Sequence, residues 1–210
     1  MRVFCRAQFG LNGVTFRQSE EIEEWGKYWP DGEVSYRLNN FTRDIDKEYH
    51  QLRAVTGAWR TWQLRIDKLK LRRERNPDVE VDVDIAFRPL SYFSGRSTFA
   101  HAWFPGQGSI SGNCEINDEW DWVTHSYYQT LAKPPLVPIL IHEFGHSLGL
   151  VHDTSTTKSI MYPSFDLGVT KNSLHRNDIN RIQGIYGKRS IPQRVIDMFT
   201  RYRNSGYDFR

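Results

Sequence analysis

Cysteine is scarce in this chain: two among 210 residues, Cys5 and Cys114. That excludes a disulfide framework and a four-thiolate zinc site. No apolar run approaches the ~20 residues that span a bilayer. No Gly/Ser linker, internal repeat or low-complexity tract divides the sequence. The first ten residues, MRVFCRAQFG, lack the apolar core and small-residue cleavage site of a secretory signal. They read either as the start of an intracellular protein or as a chain without its true start. Net charge is also low, +3 from 28 basic and 25 acidic residues. Lys188 to Arg210 hold six basic and two acidic residues, so the remainder is close to neutral. A second basic cluster, Lys68, Lys70, Arg72, Arg73 and Arg75, follows the first expected helix. With no nucleic-acid module beside them, both read as solvated surface rather than a nucleic-acid footprint.

What is present is a large apolar payload. Twelve Phe, ten Tyr and seven Trp, within 39% hydrophobic residues, exclude a disordered chain and suit one sizeable core. The expected division is a lead over 1–24, a domain over 25–187 and a basic tail over 188–210.

Periodicity places the elements. Glu33 to Leu38 alternates as a strand. Asp44 to Leu64 carries Ile45, Tyr49, Leu52, Val55, Trp59 and Trp62 at helical spacing, with Thr42 or Asp44 as cap. Val79 to Phe87 alternates over its whole length, predicting a strand with Val79, Val81, Val83 and Ile85 on one face. Phe99 to Phe104 reads as a strand closed by Pro105-Gly106. Helices are expected from Pro138 to Leu148 and from Arg176 to Tyr186, the latter stopping at Gly187. The fold class is α/β (α+β), strands interleaved with three helices.

The chemistry lies in Ile141 to Asp153, IHEFGHSLGLVHD. His142 and His146, four apart on a helix, project from one face and suit a single zinc at ~2.0–2.1 Å. Glu143 lies beside the ion. Gly149 can turn the chain in the left-handed conformation so that His152 returns as third ligand. Three protein ligands leave one position for water, the mark of a catalytic rather than a structural zinc. Three His, one Glu and one Gly at these spacings arise by chance on the order of once in 10⁵ such chains.

This pattern resembles the long zinc-binding consensus of the metzincin metallopeptidases, and Ser159-Ile160-Met161-Tyr162-Pro163 looks like their Met-turn. Within that clan the chain is most similar to the matrixins, the matrix metalloproteinases. The likeness runs through Val34-Ser35-Tyr36-Arg37-Leu38, Ala58…Trp62, Phe99 to Gly106 and Asp178-Ile179…Gly187. The resemblance implies a twisted mixed sheet with three helices and a zinc-dependent endopeptidase. In it, a zinc-bound water activated by Glu143 hydrolyses internal peptide bonds of secreted, extracellular-matrix proteins. Met161 would form an apolar floor under the histidines and Asp178 would brace the site through the Met-turn. Phe99 and Ala100 would offer backbone to an extended peptide, with Pro163, Ser164 and Phe165 as the opposite wall. Protein substrates, a monomeric state, and neither nucleic acid nor a membrane span complete the expectation.

The pattern also breaks in places. Of the family's structural-zinc ligands only His101 is in register, while Glu115 stands at the last ligand position, so a second, structural zinc is not expected. Asn117, Asp118 and Glu119 keep some oxygen donors, but a calcium site needs six or more well-placed oxygens and Ser94 stands where an Asp is usual, so the residues leave calcium open. Asp153 replaces the usual Ser after the third His and is commoner in adamalysins. Asn177 replaces the first of an Asp pair. Cys5 sits where the family's prodomain ends in a zinc-blocking cysteine, though without the surrounding motif, and is a candidate zinc switch. The rival class is a catalytically silent binding domain, against which the intact Glu143 argues.

Overall fold

The computed structural model describes residues 27–93, 95, 97–124, 130, 133–166 and 171–189, together with the backbone of 2–4. Cys5, Ser94, the rest of the lead and the tail from residue 190 lie outside this set. The elements run β1 (Arg2–Phe4), β2 (Gly32–Leu38), α1 (Glu48–Gln63), β3 (Leu69–Arg73), β4 (Val83–Arg88), β5 (Ala100–Ala102), β6 (Cys114–Asn117), α2 (Leu136–Ser147), β7 (Ser164–Asp166) and α3 (Arg176–Tyr186). Five strands form one twisted sheet in the order β3-β2-β4-β6-β5, and β1 pairs with β7 separately. The pairs β2–β3, β2–β4 and β4–β6 are parallel, and only the rim strand β5 runs antiparallel to its neighbour β6. Parallel strands need cover, and α1 and α2 supply it.

The buried stripe of α1 is Gln51, Ala54, Val55, Ala58, Trp59 and Trp62, the three- and four-residue spacing of one helical face. Trp59 stacks on Phe144 of α2 at 4.0 Å between ring centroids. Trp62 Nε1 donates to Ile141 O at 2.8 Å, tying α1 to the helix that carries the histidines. Helix α2 is buried at every residue except Val137, as expected of a helix that is apolar nearly all round.

Four expectations change. Helix α1 starts at Glu48 rather than Asp44, and neither Thr42 nor Asp44 caps it. Instead Gln51 reaches back, accepting from Thr42 N at 3.0 Å and donating to Thr42 O and Ile45 O, so residues 42–47 form a turn folded onto the helix. Tyr49 falls off the buried stripe and is 49% exposed. Strand β4 begins only at Val83, because Arg37 Nη1 takes the carbonyls of Asn76, Pro77 and Val79 and holds that stretch in a turn. The basic cluster after α1 is solvated as expected: it runs along the edge strand β3, with Lys68, Lys70, Arg72 and Arg75 exposed and Arg72 paired to Glu33 and Glu74. At the start of the tail Lys188 is exposed as expected, but Arg189 is buried and its Nη1 donates to Gln63 O at 2.6 Å.

Candidate metal centre and cleft

His142 and His146 come from consecutive turns of α2, and His152 from the loop after it. One ligand atom from each lies within 4.8 Å of the others, the one such cluster of three or more potential ligands among the described residues. His146 Nε2 stands 3.1 Å from His142 Nε2 and 3.2 Å from His152 Nε2. Two nitrogens bound to one zinc at a tetrahedral angle stand roughly 3.3 Å apart, so the donor set fits that ion.

The outer nitrogens set the tautomers. His142 Nδ1 donates to Ile160 O at 2.6 Å and His146 Nδ1 to Leu150 O at 2.7 Å. A carbonyl can only accept, so these protons sit on Nδ1 and the Nε2 lone pairs face one another. Burial favours the neutral ring, the form that binds metal. It pushes His142 down to about 4, with the Lys171 charge adding to the shift, and His152 down to about 3. His146 lies well below its ordinary value for the same reason, reinforced by its two histidine neighbours. Glu143 is 0% exposed on the same helix.

Gly149 has φ +98, and its N–H donates to His146 O at 2.8 Å as the helix ends. A Cβ there would stand 3.0 Å from Lys27 O, so glycine is required both by conformation and by space. Met161 is fully buried against Gly145, which lies between the two helical histidines. Asp178 joins three segments. One carboxylate oxygen accepts from Ser159 Oγ, and the other from Ile160 N at 3.0 Å and His175 N at 2.7 Å. Ile160 thus receives Asp178 at its N–H and holds His142 at its carbonyl. The bond to His175 is half of the capping box that starts α3. Ser159 belongs to the Met-turn motif, but its bond to Asp178 has no sequence signal because a serine in a turn does not specify its partner.

A small cavity beside His142 and Glu143 is walled by Phe99, Pro163, Ser164 and Phe165. Ala100 lies on β5, the last strand of the sheet. Phe99 departs from the expectation of open backbone, since its carbonyl accepts from Asn117 N at 2.9 Å. The wall strand β7 carries β1, antiparallel, with Phe4 opposite Ser164.

The departures from the family pattern turn out to touch one another. His101, 2% exposed, has Nε2 3.0 Å from Glu115 Oε2, and Arg88 Nε donates to Glu115 Oε1 at 3.3 Å. Phe93 and Trp103 pack on the His101 ring. Glu115, at the position of the last structural-zinc ligand, is thus shared between His101 and Arg88. The Asn117 side chain is likewise turned to protein, donating to Thr98 O and accepting from Glu119 N. Asp153 and Asn177, far apart in sequence, meet at 3.2 Å through Asn177 Nδ2. Burial alone would raise Asp153, but hydrogen bonds from the Ser155 hydroxyl and N–H outweigh it and hold the carboxyl below its ordinary value.

Comparison with known proteins agrees with this geometry. The family model of the matrixins, peptidase family M10, matches residues 25–187. Human neutrophil collagenase is 34% identical over 171 residues, covering 78% of this chain and 34% of the relative. Human matrix metalloproteinase-25 is 32% identical over 186 residues, covering 84% and 32%. Mouse stromelysin-1 is 28% identical over 167 residues, covering 76% and 33%. The chain belongs to the matrixin family of zinc metalloendopeptidases. It spans about a third of the length of these relatives.

Proposed function

We propose that this chain is the catalytic domain of a secreted, monomeric endopeptidase that cuts internal bonds of extracellular proteins, with His142, His146 and His152 as its zinc ligands and Glu143 as its base. The observation that carries this reading is the convergence of three Nε2 atoms beside a buried carboxylate on the same helix. When bound, zinc supplies Lewis acidity, lowering the pKa of water toward ~7 and polarising a carbonyl. Glu143 takes the proton from the attacking water and delivers it to the leaving amine. Met161 supports the histidines from below, and Asp178 holds His142 in orientation through Ile160. Gly149 returns the chain so that His152 reaches the site. Phe99 and Ala100 on the rim and Pro163 on the opposite wall flank an extended substrate.

The metal requirement is one zinc per chain, supported by the Arg88–Glu115–His101 network where a second ion would otherwise sit. Cys5 is the latency switch, its thiolate competing for the zinc's open position. The pairing of β1 with β7 supports this, because it brings Phe4, the residue before Cys5, to Ser164 on the cleft wall.

The test is cleavage of a quenched, collagen-like peptide by the full chain, with and without chelator and after trimming of the lead, beside Glu143→Ala. Chelator-sensitive cleavage is expected, with Glu143→Ala keeping its zinc and losing roughly 10²–10⁴-fold in rate. Wild-type turnover by Glu143→Ala would remove Glu143 as the base. No cleavage by a zinc-loaded, trimmed chain would support the silent binding domain instead.

A further inference from the structure

Strand β3 is the sheet edge farthest from β5 and the cleft, four strand spacings or roughly 19 Å away. Successive side chains of a strand face opposite ways, and β3 divides accordingly. Lys70 and Arg72 share one face, where Arg72 pairs with Glu33 and Glu74. Leu69, Leu71 and Arg73 share the other. There Leu71, Tyr36, Trp59, Leu64, Arg60 and Arg189 line a groove of about 250 Å³ between the strand and α1, and no acidic residue is among its described walls. Further cations gather at the same end of α1. Arg73 lies in register with Tyr36. Burial raises the Tyr36 phenol, and the Arg73 charge is near enough to oppose that rise. Lys68 lies beside Gly187, Lys188 bridges to Ile66, and Arg65 O accepts from Arg189 N at 3.4 Å. Arg65, Lys68, Arg73 and Lys188 enter no salt bridge among the described residues. Asp67, exposed, is the one acidic residue between Leu64 and Arg73.

We propose that this groove and its rim bind a sulfated polysaccharide, with sulfates held by Lys68, Arg73 and Lys188. Six like charges around one concavity raise the local concentration of polyanions, and the planar fork of arginine suits a tetrahedral oxyanion. The occupant's class follows from what the edge does not offer. A peptide would add to a free strand edge, but Gln63 already takes it, donating to Leu69 O at 2.8 Å and accepting from Leu71 N at 2.5 Å. Single-stranded nucleic acid needs exposed aromatic faces for stacking, whereas Trp59 is 1% and Tyr36 3% exposed. A membrane needs apolar side chains to insert, and none of the exposed large hydrophobic residues lines the groove. Because the site lies on the edge opposite β5, an occupant leaves the cleft open to substrate.

The experiment is calorimetry of the full, zinc-loaded chain with a heparin-derived octasaccharide, beside unsulfated hyaluronan of equal length and phosphatidylserine vesicles. Heparin should bind at about 0.15 M salt and be released near about 1 M, as the Debye length falls from ~8 to ~3 Å. Lys68→Ser/Arg73→Ser should weaken binding about tenfold, the sum of two exposed ion pairs. Lys68→Ser/Lys188→Ser, which changes only exposed side chains, should act in the same direction. The control with equal charge change is Arg43→Ser/Lys47→Ser, beyond the other end of the 16-residue helix α1, about 24 Å away; it should bind as wild type does. No binding of heparin by wild type, equal losses in face and control variants, or undiminished binding by both face variants would overturn the proposal. Hyaluronan bound as tightly as heparin would overturn the assignment to sulfate, and vesicles bound more tightly would make the face a membrane site instead. Binding is read without turnover, so a failure of the protease reading shows separately, as no peptide cleavage.

Discussion

Gly145 lies between His142 and His146 on the helix that carries both. Replacing it with alanine sets two effects against each other. Alanine in a helix interior is better than glycine by about 0.5–1 kcal/mol. At Gly145, however, the new Cβ would overlap Met161 Sδ and stand 2.9 Å from Met161 Cε and 3.0 Å from Trp62 Cζ2. Met161 and Trp62 are both fully buried, and overpacking of such a core costs about 1–3 kcal/mol. The net expectation is destabilisation by up to about 2.5 kcal/mol, which in a domain of this size lowers Tm by up to about 10 °C. The internal control is Gly184 on α3, where a Cβ meets nothing within 4 Å. Gly184→Ala should therefore show the helix propensity alone and raise Tm by about 1–4 °C. Thermal unfolding of both variants, followed by circular dichroism with and without zinc, makes the comparison. Because Met161 must shift to admit the methyl, Gly145→Ala should also bind zinc more weakly. If the two variants behave alike, the packing of Met161 against α2 is not what this reasoning takes it to be.

Three further outcomes are expected. Asp178→Ala removes the acceptor for Ser159, Ile160 and His175 at once, and denaturant titration should show a loss of about 3 kcal/mol or more. Weaker zinc retention should accompany it, since the Ile160 carbonyl that orients His142 loses its anchor. Glu115→Gln weakens both the Arg88 and the His101 contacts and should cost about 1–2 kcal/mol. Metal analysis should still find one zinc per chain in that variant, and a change in zinc content would contradict the single-ion reading. Cys5→Ser should yield a chain that cleaves peptide without trimming or thiol modification. Latency that survives the substitution would remove the cysteine from that role.

The histidine triplet was legible in the sequence because its geometry is nearly local. Four residues make about one helical turn, so His142 and His146 share a face wherever the helix sits, and a glycine that ends a helix is the ordinary way to bring a third histidine back. Helix α3 was equally legible, its stop written in Gly187. The start of α1 was not. Thr42 and Asp44 are good caps by type, but Gln51, buried in the first turn, takes the backbone of 42–45 and holds it off the helix axis. The strand expected from Val79 failed for a similar reason. Its alternation is real, but Arg37 on β2 takes the carbonyls on either side of Pro77, a contact that no pattern within 76–79 can show.

The class of chemistry is already written along the chain: an α/β fold with a zinc-competent histidine triplet, a carboxylate beside it, and Met161 in a turn that follows. What the departures amount to emerges only from the assembled fold. His101 faces Glu115 because β5 runs antiparallel to β6, and Arg88 reaches the same carboxylate because β4 lies parallel on its other side. Asp153 meets Asn177, and Lys171 is drawn to Ser159 beneath the cleft. Each of these pairs joins different elements, and their distances depend on strand order, register and loop path. Such relations arise when the sheet and helices assemble, because a residue's local periodicity carries no information about which distant side chain will face it.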